Sequence, residues 1–358
     1  MTTSRDRPYG RRLVTVPAVF VLLPLAVASV PVWGPVAVAV DLAQGLRRLP
    51  SLRLGAMAIV YLVHEWICLA LALGLTGRDA ALAVAGRRPR EPVSWRRVEG
   101  WWIASLLAWA RRLLAIRFDL PRPADFPAGG FVLVSRHASM ADAVLPVWLL
   151  TGLQERWVHY VLKRELRFDP TLDIYGRRLG NHFISRRGAD SEAEAVALTG
   201  LARRAGPGAA LVIFPEGTYA TPARRRRIRG SLARRGAADL VALADDLRHL
   251  LPPKPAGTLA LLAGQPGFDV VVLGHVGLEG MSELRGLRRR LPLDEPVAVR
   301  WWHHRRAELP AGEAELIAWL NDRWRTLDRW IDSAGSNRPA GGGPPAVGVP
   351  PDRTGDRG

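Results

Sequence analysis

Two long apolar runs near the N-terminus restrict the folds open to this chain. Residues 13–40 include no charged side chain, and residues 54–77 are apolar apart from His64 and Glu65. Each run reaches the roughly 20 residues that a helix needs to cross a bilayer. The two runs therefore predict a membrane hairpin of two helices.

Two features leave alternatives to a simple spanning hairpin. Prolines interrupt the first run, at Pro17, Pro24, Pro31 and Pro35, and each removes a helical hydrogen bond, so a bent or re-entrant segment is as compatible with the sequence as a clean span. A signal peptide is the second alternative, because a basic leader precedes the run and the sequence AVA at 26–28 resembles a cleavage site. Since the run continues past that site and a second run follows, we expect a retained hairpin.

The charge balance predicts a phosphate-bearing partner. The chain carries 50 Lys and Arg against 33 Asp and Glu, a formal net charge of +17, which suits nucleic acid, anionic lipid or a phosphorylated substrate. Arginines cluster at both outer ends of the predicted hairpin, within 5–12 and 78–97, while its connection holds only Arg47, Arg48 and Arg53. The positive-inside rule therefore predicts both ends, and the domain that follows, on the cytoplasmic side.

Cysteine and histidine usage argues against disulfide and metal chemistry. A single cysteine, Cys68, excludes an intramolecular disulfide framework and a cysteine-rich zinc site. The histidines show no spacing with carboxylates or cysteines that is typical of metal ligands. One of them, His275, ends an apolar segment, where it could line a cleft or pack in the core.

The rest of the chain predicts an α/β domain with a sheet flanked by helices. Residues 93–120 have the spacing of an amphipathic helix rich in tryptophan and arginine, suited to a membrane interface or to a core-facing position in a soluble domain. Apolar segments then predict strands at 131–135, 157–163, 181–185, 209–214, 269–275 and 296–302. Helical stretches between them, such as 191–204, and a closing helix at 313–331 complete the α/β pattern.

These signals divide the chain into three parts. Residues 1–90 form the membrane hairpin and a linker, and residues 91–332 form the folded domain with its leading amphipathic helix. Residues 333–358 are rich in proline and glycine, and we expect this tail to be disordered.

The stretch RHASMAD, residues 136–142, places a histidine and an aspartate just after a predicted strand. If His137 lies in the loop and a helix begins near Ser139, then Asp142 falls in the first turn and can reach back to the imidazole. A carboxylate-oriented imidazole is suited to taking a proton from a hydroxyl group. The alternative is purely structural, because Ser139 and Asp142 also have the spacing of a helix capping box.

A second stretch, FPEGT at 214–218, presents a carboxylate, a glycine and a hydroxyl at the end of another predicted strand. Together, HASMAD and FPEGT resemble the glycerolipid acyltransferase family, which includes the 1-acylglycerol-3-phosphate acyltransferases. The segments LKREL (162–166) and FISR (183–186) are similar to further family motifs. The segment VVVLGHVG (270–277) resembles a fourth, although it lacks the proline usual there.

The resemblance implies transfer of an acyl chain from acyl-CoA or an acyl carrier protein to the free hydroxyl of a lysolipid, most plainly 1-acylglycerol-3-phosphate. His137 would act as general base and Asp142 as its orienter, without a metal, a cofactor or a covalent acyl-enzyme. The residues that the resemblance assigns to the acceptor are Glu216, Gly217 and Thr218 for the glycerol backbone, Arg186 for the phosphate, and Lys163 for the cleft wall.

Two departures from the family pattern bear on the acceptor. Arg136 stands where members often have asparagine, and Tyr219 stands where many have arginine. The arginines at 224–229 could compensate, or could meet coenzyme A, an acidic carrier protein or the membrane. Other acceptors, such as glycerol-3-phosphate, therefore stay open, as does a non-catalytic lipid-binding protein. Nucleic-acid binding would explain the charge but not the hairpin or the two motifs.

Overall fold

The computed structural model describes residues 8–87, 92–121, 126–139, 141–152, 156–184, 192–281 and 283–336. The helices are α1 (Pro8–Ala28), α2 (Val30–Ala43), α3 (Pro50–Val84), α4 (Val93–Leu114), α5 (Val144–Val147), α6 (Pro170–Arg178), α7 (Glu192–Arg204), α8 (Pro222–Arg234), α9 (Ala238–Asp246), α10 (Pro255–Gly264), α11 (Leu284–Arg290) and α12 (Glu313–Ser336). The strands are β1 (Phe118–Asp119), β2 (Phe131–Ser135), β3 (Val158–Lys163), β4 (His182–Ile184), β5 (Ala210–Ile213), β6 (Asp269–Val276) and β7 (Val297–His304).

The strands form one seven-stranded sheet in the order β1-β7-β6-β2-β5-β3-β4. β7 runs antiparallel to β6, and every other neighbouring pair is parallel. The predicted α/β fold is confirmed, and each predicted strand is present with its ends moved by no more than two residues. The sequence analysis did not predict the short strand β1, because two residues are too few to show a period.

Helices cover both faces of the sheet, which explains the continuous apolar runs of the central strands. Along β2, Val132 and Val134 contact the core that includes Leu261 of α10 and Trp324 of α12. Phe131 and the other alternating side chains of β2 belong to a second core on the opposite face. Every residue of β2 and β5 is buried, as expected for parallel strands covered on both sides.

The N-terminal helices form the predicted hairpin, with a bend in its first arm. The first apolar run is divided at Ser29 into α1 and α2, while α3 is continuous. α1 and α2 run antiparallel to α3, since Trp66 donates to the carbonyl of Val19 at 3.0 Å and Asp41 accepts from Ser51 near the turn. Among the described residues, two helices are long and apolar enough to cross a membrane, and they are α1 and α3.

The turn end of this hairpin contacts the α/β domain. Asp41 is fully buried and accepts a hydrogen bond from Arg288 of α11 at 3.0 Å. Arg48 forms an ion pair with Asp294, in the loop before β7. Arg53 donates to the carbonyl at the end of α4, that of Leu113, at 2.8 Å.

The open end and the middle of the hairpin contact the same domain. Arg11 and Arg12 of α1 bind the two carboxylate oxygens of Asp173, on α6, at 2.8 and 2.7 Å. Between the two ends, Tyr175 donates to the carbonyl of Cys68 at 2.9 Å. The hairpin therefore lies along the domain for its whole length.

Asp173→Asn tests the attachment of the open end. Burial alone would raise the pKa of Asp173, but hydrogen bonds from Arg12 and Arg177 lower it overall. The carboxylate therefore binds these arginines as an anion, and we expect its neutralisation to lower the free energy of unfolding by roughly 2 to 3 kcal/mol. Denaturant unfolding of the detergent-solubilised protein measures the loss.

Asp245→Asn is the matched control, because Asp245 pairs with Arg229 on the exposed surface and such pairs contribute little. Equal unfolding midpoints for the two variants would contradict the attachment.

Candidate active site

The motif residues meet at one edge of the sheet. β2, β5 and β3 are neighbouring parallel strands, so their carboxyl ends lie side by side. β2 leads into Arg136 and His137, β5 leads into the 214–219 loop, and Lys163 is the last residue of β3. The topology therefore brings together residues that are far apart in the sequence.

His137 and Asp142 form the pair that their spacing predicted. Asp142 lies in the short 3₁₀ turn Ala141–Ala143, just before α5. His137 Nδ1 donates to Asp142 Oδ1 at 2.8 Å. Asp142 Oδ2 accepts the backbone N–H groups of Ala138 and Ser139. The two interpretations of the spacing are thus both realised, because one carboxylate oxygen orients the imidazole and the other caps the turn.

The environment keeps Asp142 ionised. The residue is fully buried, and burial would raise its pKa, but His137 and His275 lower the pKa well below its usual value overall. An ionised acceptor at Nδ1 fixes the proton on that nitrogen and leaves Nε2 of His137 to accept another.

Glu216 holds the backbone of the histidine loop. Its Oε1 accepts the N–H of His137 at 2.9 Å, and its Oε2 accepts the N–H of Leu251 at 3.0 Å. Burial raises the pKa of Glu216 to about 8, against the effect of these hydrogen bonds. Both carboxylate oxygens are thus engaged by the protein, and contact of Glu216 with the glycerol backbone of a substrate stays a prediction.

The closing helix supports Glu216 from behind. Asp328 of α12 accepts the backbone N–H groups of three consecutive residues, Arg248, His249 and Leu250, at 2.8 to 3.0 Å. Trp324, one turn earlier, donates to the carbonyl of Leu251 at 3.0 Å. α12 therefore fixes the loop that binds Oε2 of Glu216.

The sequence analysis missed this role of Asp328. The signal was present as an acidic residue next to Leu327 on the apolar face of the closing helix. A carboxylate in that position is buried and therefore needs partners.

Two aromatic rings contact the imidazole of His137, and two cations contact one of these rings. The ring of His137 lies 4.8 Å from that of Phe214 and 5.6 Å, edge to face, from that of Tyr219. Tyr219 in turn contacts two cations, with Lys163 Nζ 5.7 Å and Arg224 Cζ 4.0 Å from its ring centroid. Positive charge therefore lies against Tyr219, whose ring contacts that of His137.

The remaining predicted site residues lie in the same loop or outside the described chain. Gly217 has φ of +67°, a conformation that favours glycine, and it turns the chain between Glu216 and Thr218. Thr218 is half-buried beside it. Arg186, predicted to bind the phosphate, lies outside the described residues.

Arg136, the other departure from the family pattern, points toward β6. Its guanidinium is buried and donates to the carbonyl of His275 and to Glu279. Burial opposes ionisation of Glu279, but Arg136 and His275 lower the pKa of that carboxyl to about 2. The Arg136–Glu279 pair thereby connects the histidine loop to the end of β6.

Glu279→Gln should destabilise the protein in a pH-dependent way. The lowered pKa means that the ionised carboxyl stabilises the fold above about pH 4.5, and that this stabilisation is lost as the pH falls toward 2. We expect the variant to lose roughly 2 kcal/mol at pH 7, because Arg136 keeps a buried charge without its partner. Denaturant unfolding at pH 7, 5 and 4 should show the difference from wild type shrinking as the pH falls.

Glu283→Gln, at an exposed position four residues further on, serves as the control and should change little. A Glu279→Gln deficit that is constant across these pH values would contradict the ion pair.

Comparison with known proteins identifies the domain that carries this site. Residues 117–253 match the family model described as Acyltransferase. No curated protein matches the chain. Among solved structures, the chain is similar to the 1-acyl-sn-glycerophosphate (LPA) acyltransferase PlsC from Thermotoga maritima, with 16% sequence identity and a TM-score of 0.47 over 79% of this chain and 99% of that one. The matched segment includes His137, Asp142 and the 214–218 loop.

Proposed function

We propose that this protein is a membrane-bound enzyme that transfers an acyl chain from acyl-CoA or an acyl carrier protein to the free hydroxyl of 1-acylglycerol-3-phosphate, giving phosphatidic acid. The observation that carries the proposal is the His137–Asp142 hydrogen bond, in a segment that matches the Acyltransferase family model. Two cations contact Tyr219, whose ring lies against that of His137. The pair supplies a base for a hydroxyl group, and the cations suit an anionic acceptor.

The geometry supports direct attack on the thioester. His137 Nε2 takes the proton of the acceptor hydroxyl, while the hydroxyl oxygen forms a bond to the thioester carbonyl carbon. Asp142 stabilises the imidazolium that forms, because it is ionised and bonded to Nδ1. The carbon–sulfur bond then breaks, and the proton passes to the departing thiolate. Neither a metal nor a cofactor takes part in this sequence.

The cations around Tyr219 supply the acceptor's phosphate site in this proposal. Arg224 begins the basic helix α8, where Thr221 caps the first turn by accepting its N–H. Its guanidinium reaches back over the Tyr219 ring at 4.0 Å. Lys163 is the last residue of β3, and Arg186 follows β4, the strand paired with β3, in the sequence. These cations would replace the motif arginine that this chain lacks.

We also propose that the hairpin lies in one leaflet, with the domain on the cytoplasmic side. Both ends of the hairpin bind the domain, through Asp41 and Asp173, which is difficult for a hairpin that crosses the bilayer. Large apolar side chains remain exposed on all three of its helices, including Leu13 at 76%, Val32 at 72% and Leu73 at 76%. Burial of this surface in lipid would anchor the enzyme next to its acceptor.

Activity measurements test the reaction and its base. Membranes carrying the protein are given a labelled acyl thioester with lysophosphatidic acid, glycerol-3-phosphate or a neutral lysolipid. We expect phosphatidic acid as the main product, and His137→Ala should lower kcat at least about a thousandfold. His303→Ala, at an exposed histidine of β7, is the matched control and should retain activity.

Transfer to another acceptor would keep the chemistry and reject the proposed substrate. Absence of transfer to any acceptor, or equal activity in His137→Ala, would reject the enzyme.

Single-cysteine labelling tests the placement of the hairpin. The natural Cys68 is buried and is first replaced by alanine. Arg47→Cys then marks the turn, and Arg87→Cys marks the open end, both at exposed positions. In vesicles with the cytoplasmic face outward, a membrane-impermeant maleimide should label both variants. Labelling of Arg87→Cys alone would indicate a spanning hairpin instead.

A further inference from the structure

A second imidazole lies against the catalytic carboxylate. His275, near the end of β6, is fully buried, and its Nε2 lies 3.3 Å from Asp142 Oδ2. His137 occupies the other oxygen of the same carboxylate. Asp142 therefore stands between two histidines that are far apart in the sequence.

The hydrogen-bonding capacity of His275 is not used in the resting structure. Neither of its ring nitrogens makes a hydrogen bond to the described residues, although Nε2 lies 3.3 Å from Asp142 Oδ2. Backbone N–H groups of Ala138 and Ser139 already occupy Asp142 Oδ2. Burial of an imidazole without hydrogen-bond partners costs folding free energy. The position of His275 beside Asp142 therefore indicates a functional role.

The charges that face His275 come from three neighbouring segments. Asp142 approaches from the 3₁₀ turn. Arg136, after β2, donates to the backbone carbonyl of His275 and pairs with Glu279, in the loop after β6. Glu279 is paired with Arg136, whereas Asp142 lies in direct contact with the imidazole of His275.

We propose that His275 is a positioning residue for acyl transfer, which keeps the carboxylate of Asp142 in place against His137 while the imidazolium of His137 forms. A small rotation brings Nε2–H of His275 into line with Oδ2, so that both carboxylate oxygens keep their donors as charge develops. The inference rests on the proposed function, because it takes His137 as the base.

Two substitutions separate the roles of His275. His275→Gln keeps an N–H donor for Asp142 but cannot be protonated, whereas His275→Leu removes the donor. We expect kcat to fall about tenfold in His275→Leu with KM unchanged, and to stay within about threefold of wild type in His275→Gln.

A measurement that does not need turnover distinguishes failure of this inference from failure of the proposed function. The full-length protein in detergent is treated with diethylpyrocarbonate at pH 7, and the modification rate of His137 is followed by mass spectrometry. In His275→Leu, Asp142 loses a neighbouring donor and interacts more fully with His137, so this rate should fall about threefold or more. His303→Leu, at an exposed site, should leave it unchanged.

Wild-type kcat in His275→Leu would overturn the inference, as would an unchanged modification rate of His137 in that variant. If His275→Leu does not fold, His275→Gln decides, and a loss of kcat much greater than about threefold would overturn the inference. If the wild type transfers no acyl group, the proposed function fails, and the modification rate alone decides whether His275 acts on the pair.

Discussion

The carboxylate of Asp142 is the interaction on which the site depends. One oxygen binds the imidazole of His137, and the other closes the turn that returns the chain from β2 to α5. The same side chain therefore shapes the loop and orients the imidazole of His137. Because the group is buried and ionised, any loss of a donor has a high cost, which explains why β2, the 3₁₀ turn and β6 all converge on it.

A series of backbone contacts extends this support across the domain. Asp328 of α12 holds the 248–250 amides, Glu216 joins the next amide to that of His137, and Arg136 ties the same loop to Glu279. α12 lies outside the segment that matches the Acyltransferase family model. It nevertheless supports the backbone at His137, because Asp328 holds the loop that binds Glu216. Residues from four separate segments thus determine the position of His137.

The hairpin is attached to the domain by buried ion pairs as well. Asp41 of α2 accepts from Arg288 of α11, and Arg11 and Arg12 of α1 bind Asp173 of α6. Large apolar side chains remain exposed on the hairpin helices. A hairpin bound at both ends keeps a fixed orientation relative to the sheet edge that carries the site.

The sequence by itself determined the local features of this protein. Continuous apolar runs predicted the central strands, because strands covered on both faces have no polar positions, and the length of two such runs predicted the hairpin. The spacing of His137 and Asp142 predicted their hydrogen bond, because a histidine in the loop lies within reach of an aspartate in the turn that follows it. Only the tertiary structure decided that Glu216 binds a backbone amide, that Asp328 supports it, and that His275 shares Asp142. Those contacts join segments that are about 80 residues or more apart. The order of the strands in the sheet creates them, and that order leaves no periodic pattern in the sequence.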